Sequence, residues 1–130
     1  MLLENNTKRV MNLVDIVDDL NGIDKVRLSI HLLEENCFSI NYDDDFIRLL
    51  KEVLEMIDPD SKRVITNFAK YKNLLFISAK YMELSLLEKQ KFLVELLFNI
   101  FQYNFKNEEI NTKINQELNV YDYCYSLNVL

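Results

Sequence analysis

The chain is poor in the residues from which tight turns and catalytic loops are built. Its 130 residues include one glycine (Gly22), one proline (Pro59), one histidine (His31) and two cysteines (Cys37 and Cys124). Hairpins and sandwiches draw on many positive-φ positions and turn prolines, so this scarcity argues against a β-rich fold; helices need few of either. One glycine cannot build a phosphate-cradling loop, and G-x-x-x-x-G-K, G-x-G-x-x-G and G-x-S-x-G are all absent. Enzymes that depend on those motifs are excluded. His31 has no companion histidine, and its separation from Cys37 across a helix end makes a catalytic dyad accidental. The cysteines form no C-x-x-C and no dense framework, the pattern of two ordinary thiols in a reducing compartment.

Uninterrupted hydrophobic runs are also lacking. The longest apolar stretch, Leu84 to Phe105, is broken by Glu88, Lys89, Lys91 and Glu95. It reads as a core helix, since a membrane span would bury several charges. The N-terminal MLLENNTKRV lacks the basic region, apolar stretch and small-residue site of a secretory signal, so a cytoplasmic location is expected. Excess positive charge is missing too: with a net charge of −6, attraction to phosphate backbones is disfavoured as the main activity.

What remains is the composition of one ordinary globular domain, with 49% hydrophobic and 28% charged residues. Asn6 or Thr7 can cap a first helix bearing Val10, Leu13, Val14, Val17 and Leu20, with Gly22 as its left-handed stop. The next stretch, KVRLSIHLLEENCF, is ambiguous: Val26, Leu28, Ile30 and Leu32 alternate as in a strand, yet Val26, Ile30 and Leu33 share a helical face. A helix from Lys25 to about Glu35, capped by Asp24, is the expectation. Asp43, Asp44 and Asp45 open a helix carrying Phe46, Leu49, Leu50, Val53, Leu54 and Ile57. Asp58-Pro59-Asp60-Ser61 breaks it, and Val64, Ile65, Phe68 and Ala69 indicate a further helix towards Tyr71. Asn73 to Leu84 is apolar nearly all round, which predicts a central element. Ser85-Leu86-Leu87-Glu88 is a capping box before a long helix with Phe92, Leu93, Leu96, Leu97, Ile100 and Phe101. A last helix from about Asn107 carries Ile110, Ile114 and Leu118. The expected architecture is an all-α, single-domain bundle of six to seven helices.

Laying Leu32 on Leu96 also lays Leu28 on Phe92, Phe46 on Ile110 and Leu50 on Ile114. This register pairs residues about 25–54 with about 89–118 as two helix pairs, each with an acidic turn. With its turns NCFSINYDDDF and QYNFKNEEI, the chain resembles the tellurite-resistance TerB-like helical domains from Lys25 to Leu118. In those domains, short acidic turns similar to ADG-x-I-x-x-x-E join helix pairs. Both turns here lack the glycine and the leading Ala-Asp. The resemblance implies paired helices and a metal role for Asp43, Asp44, Asp45, Glu108 and Glu109. From the residues alone, Glu34 or Glu35 could join the aspartates around a hard cation, although the same acids serve as helix-start residues.

The tail 120–130 opens with VYDYCY, placing Tyr121, Tyr123 and Tyr125 at period two. They are expected either to strap the bundle or to anchor a protein partner. The leading expectation is a non-catalytic interaction module without cofactor, a small subunit or regulator of stress, phage-defence or immunity type. The rivals are a metal-binding TerB-like protein and a helix-turn-helix regulator built on Val10 to Leu33, whose second helix offers only Lys25 and Arg27 as cations.

Overall fold

The computed structural model describes residues 2–35, 43–59 and 71–126, with side chains for 8–35, 45–59 and 71–125. These residues form seven helices and no strand: α1 (Leu2–Asp18), α2 (Gly22–Glu35), α3 (Asp43–Ile57), α4 (Lys72–Met82), α5 (Leu86–Gln102), α6 (Glu108–Gln116) and α7 (Val120–Ser126). The expected helix over Val64 to Ala69, the Asp60-Ser61 part of the break before it, the thiol Cys37 and the turn before Asp43 lie outside the described residues.

The ambiguous stretch is helical, and α2 buries Val26, Leu28, Ile30, Leu32 and Leu33 in the core. Burial on several sides explains the strand-like alternation, because a helix enclosed by neighbours need not keep one polar face. Its start differs from expectation. Asn21 supplies the cap, with Oδ1 accepting from the Asp24 amide at 2.8 Å, while Asp24 sits within the first turn. Gly22 likewise opens α2 instead of stopping α1. The preceding helix closes through short amide bonds from Asp19 to the Ile16 carbonyl and from Leu20 to the Val17 carbonyl, which tighten its last turn. Nor does α1 begin at a cap on Asn6 or Thr7. It runs from Leu2, as the good helix formers Leu2, Leu3 and Glu4 allow.

Helices α1 and α5 run side by side in the same direction, with Arg9 in the middle of α1 bonded to Glu88 near the start of α5, and Asn99 donating to Asp18 near the ends of both. Helix α4 turns back into α5 through Glu83–Ser85 and lies antiparallel to α1. Helices α2 and α3 form a second antiparallel pair, joined by Arg27–Asp58 at 2.9 Å and Glu34–Lys51 at 2.6 Å. Helix α6 packs on α3, and α7 on α5. The register that lays Leu32 on Leu96 also aligns the starts of α2 and α5 and the ends of α1 and α4.

Two elements depart from the expected roles. The segment predicted to be central, α4, buries Leu74, Ile77 and Tyr81 but leaves Leu75, Phe76 and Met82 in water. The central position belongs to α5, which contacts α1, α2, α4 and α7. The last helix is broken: α6 ends at Gln116 and α7 starts at Val120, so Leu118 is buried in the link. Asn119 caps the new helix by accepting from the Asp122 amide at 3.1 Å.

Gly22 is required by space. A Cβ there would lie 2.5 Å from Phe105 Cε1 and 2.7 Å from Tyr103 Cε1. Gly22→Ala is expected to destabilise the fold by about 2 kcal/mol, lowering Tm by roughly 5–10 °C in a circular-dichroism melt. An unchanged Tm would show that the rings yield freely. Among the described residues the buried Tyr81 hydroxyl has no hydrogen-bond partner, and burial pushes the phenol well above its usual range, with Glu35 adding to the effect. Removing an unsatisfied polar group relieves its desolvation penalty. Tyr81→Phe should therefore stabilise by about 1 kcal/mol; a lower Tm would sink this account.

Candidate interaction surfaces

The tyrosines of VYDYCY separate because α7 is a helix, where residues four apart share a face and those two apart do not. Tyr123 is 1% exposed and stacks on Phe46 with ring centroids 4.4 Å apart. It belongs to the core, which corrects its grouping with the partner-facing tyrosines. Tyr121 and Tyr125 are 52% and 63% exposed on the opposite face. Tyr121 meets Phe98 and Phe101 edge-on at centroid distances of 5.2 and 5.8 Å. Its ring is thereby held in place with half its surface open. Beneath it, Cys124 is a free, buried thiol, pushed up to about 11 by burial and by Glu95, so it is protonated and unreactive at neutral pH.

The acidic residues fall in different places. The side chains of Asp43 and Asp44 lie outside the described residues. Asp45 is exposed, 3.5 Å from Arg48 of the next turn. Glu34 pairs with Lys51, and Glu35 lies 3.3 Å from His31. Glu108 and Glu109 border a cleft of about 370 Å³ with Met56, Lys113 and Glu117. Lys113 bridges Glu52 at 2.8 Å and Glu117 at 3.0 Å. Those hydrogen bonds hold the lysine above its usual pKa and the Glu52 carboxyl below its own. Among the described residues, no three His, Cys, Asp or Glu side chains gather closely enough to share a metal ion.

The two cations of the expected recognition helix are both engaged. Lys25 is buried with Nζ 4.7 Å from the centre of the Tyr103 ring. Burial lowers its pKa, partly offset by Asp18. Arg27 bonds Asp24 and Asp58 and lies 4.6 Å from the centre of the Tyr71 ring.

A second surface was not foreseen from the sequence. Between α1 and α4 runs a cleft of about 290 Å³, bounded by Arg9, Asn12, Leu13, Ile16, Phe76, Lys80, Glu83 and Leu84. Leu13 and Leu84 form its buried floor, while Ile16 and Phe76 are exposed at its sides. The signal was present in NLLFISAKYMEL, whose apolar residues exceed what one buried helical face can hold.

One wall of this cleft is fixed from beneath. The Glu88 carboxylate, 1% exposed, receives Arg9 through two bonds of 3.1 and 2.6 Å. It also completes the capping box with Ser85. Burial works to raise the carboxyl's pKa, but the bonds from the Ser85 amide, the Ser85 hydroxyl and Arg9 outweigh it, and the net shift is downward. A depressed carboxylate stabilises the fold above its unfolded pKa, and that contribution is lost as pH falls through the folded value. Tm should thus decline from about pH 5 to about pH 3, and less steeply in Glu88→Gln. Equal slopes for both proteins would remove Glu88 from the account.

No family model matches the chain, and neither a curated protein nor a solved structure matches it.

Proposed function

We propose that this helical domain is a protein-interaction module, acting without catalysis as a small subunit or regulator of a larger assembly. The observation that carries the reading is the pair Tyr121 and Tyr125, exposed on one face of α7, with Tyr121 packed edge-on against Phe98 and Phe101. Tyrosine gives a partner a large, rigid contact area with a polar tip, and clustered exposure of apolar groups marks interaction sites in a way that scattered exposure does not.

The rival readings have less support. In the cleft by Glu108 and Glu109, Lys113 already bridges Glu52 and Glu117, so a TerB-like cation site there would have to compete with an internal ammonium. A helix-turn-helix regulator would need Lys25 and Arg27 free for phosphate, and both are committed within the domain.

The test is co-purification from the native source. The wild-type domain should retain a protein partner in stoichiometric amount, and Tyr121→Ala/Tyr125→Ala should lose it with Tm nearly unchanged, since exposed substitutions usually alter stability by about 0.5 kcal/mol or less. Tyr123→Ala should instead destabilise the fold by about 3–5 kcal/mol. A wild-type domain that purifies alone, with a Tm raised by divalent cations, would overturn the reading in favour of the metal-binding rival.

A further inference from the structure

The geometry points to the exposed turns of α5 around Leu87 and Lys91 as a docking face for a helix of a partner protein, one that lies antiparallel to α5 beyond the end of α7 and brings an acidic residue to Lys91. This rests on the interaction-module reading and gives that partner a place and a chemistry.

The other half of the domain shows what such a face holds. At the register that lays Leu32 on Leu96, the hairpin α4–α5 repeats the hairpin α1–α2. Their turns close through the same amide bonds, Asp19 to Ile16 and Leu20 to Val17 in the first, Glu83 to Lys80 and Leu84 to Tyr81 in the second. Asn21 accepts from the Asp24 amide as Ser85 accepts from the Glu88 amide. Val10, Leu13 and Val17 are buried, as are their counterparts Leu74, Ile77 and Tyr81. Helical periodicity would match the buried rows, but it does not make two turns agree bond for bond. The copies also pack reciprocally, α1 on α5 and α4 on α2, as a two-fold relation requires.

Each hairpin has a third helix on the outer face of its second. On α2 that helix is α3, which reaches from Glu34, paired with Lys51, to Arg27, paired with Asp58. On α5 the place belongs to α7, because Tyr121 packs on Phe98, the counterpart of Glu34. Both covering helices run antiparallel to the helix beneath, as the action of Glu95 on Cys124 shows for α7. Their lengths differ: α3 has 15 residues and α7 has 7. Among the described residues, α5 therefore lacks the cover that the second half of α3 gives to α2. Ile23 is partly buried against the core, whereas its counterpart Leu87 is 49% exposed. Arg27 has Asp58, whereas its counterpart Lys91 makes no ion pair with a described residue.

The neighbouring charges leave Lys91 to select the occupant. Glu88 is buried and bonded to Arg9 and Ser85. Lys89 lies 5.7 Å from the centre of the Tyr81 ring, and Glu83 lies 3.7 Å from Lys80. Glu95 stands one turn further on, at α7. At this end of α5, α1 contributes Arg9 and the exposed Lys8 beside it, while Asp18 lies at the far end with Asn99. An apolar residue over Leu87 with an aspartate or glutamate at Lys91 repeats the arrangement at Ile23 and Arg27. Residues 127–130, which follow α7, offer no acidic side chain.

The experiment presents the whole domain to a displayed library of randomised helical peptides of about 18 residues, or five turns. Enriched peptides should carry an apolar helical face bordered by an acidic residue. Affinity for a synthesised winner should fall at least about tenfold in Leu87→Glu, as expected for loss of an anchor, and stay unchanged in Phe76→Glu on the α1/α4 cleft. Changing the winner's acid to lysine should weaken binding to the parent domain and restore it to Lys91→Glu, a coupling that only residues in contact display. Leu87→Glu must keep the wild-type Tm, which its exposure predicts. Winners indifferent to Leu87→Glu, a missing rescue by Lys91→Glu, or a library without binders each overturn the proposal, while co-purification decides the wider reading separately. Binding lost only in Tyr121→Ala/Tyr125→Ala also overturns it, moving the partner to the outer face of α7 and leaving the interaction-module reading standing. A Tm lowered by Leu87→Glu in the full chain, but not in a chain ending at Ser126, would give the face to residues 127–130. A concentration-dependent dimer in light scattering that Leu87→Glu dissociates would give it to a second copy.

Discussion

Phe92, Leu93, Val94, Leu96, Leu97 and Ile100 of α5 are all buried, and one neighbouring helix cannot cover side chains pointing in so many directions. At about 25 cal/mol per Å² of apolar surface removed from water, enclosing such a helix outweighs any single polar contact in the molecule. Four helices meet the requirement: α1, α2 and α4 pack around α5, and the short α7 covers what they leave. The remaining two follow from that arrangement. Helix α3 packs on the outward side of α2, and α6 on α3. Adjacent elements in the sequence are therefore not always adjacent in space, and the closing helix α7 brings Tyr123 against Phe46 of α3.

Polar contacts set the register of this packing more than its strength. Glu88 is held by its own helix start and by Arg9 from α1, so the beginning of the central helix and the middle of the first are located together. A buried carboxylate without such partners would be costly. Arg27 ties α2 to the end of α3, and Lys113 ties α6 to α3 through Glu52. Exposed pairs such as Asp45–Arg48 and Lys80–Glu83 contribute little, because water screens them. Two faces carry exposed apolar side chains: the α1/α4 cleft, which Arg9 and the Lys80–Glu83 pair also line, and the outer side of α7. The functional reading rests on the second.

Several elements were readable in advance because their signals are local. The capping box at Ser85, the acidic start of α6 and the apolar rows of α1, α2, α3 and α5 all appear where residue spacing places them. The misread positions were those where a local signal fits two tertiary outcomes. Gly22 has the residue type of a helix stop, yet its role is to admit the rings of Tyr103 and Phe105. The surplus apolar residues of α4 fit either a central helix or an exposed binding face. The period-two tyrosines would share a face in a strand, but in α7 they divide between core and surface.

The sequence by itself determined that this is an all-helical domain: a dearth of glycine and proline and long apolar periodicities are properties of the chain that no packing arrangement alters. It also determined most helix positions, because caps and periodicity act over a few residues. Which helix is enclosed, which leaves apolar side chains in water, and which charges are engaged were decided only by tertiary structure. Each depends on side chains far apart in the chain: Arg9 meeting Glu88, Tyr123 meeting Phe46, and Ile16 facing Phe76 across one cleft. Burial is a property of such meetings, and no window of consecutive residues contains them.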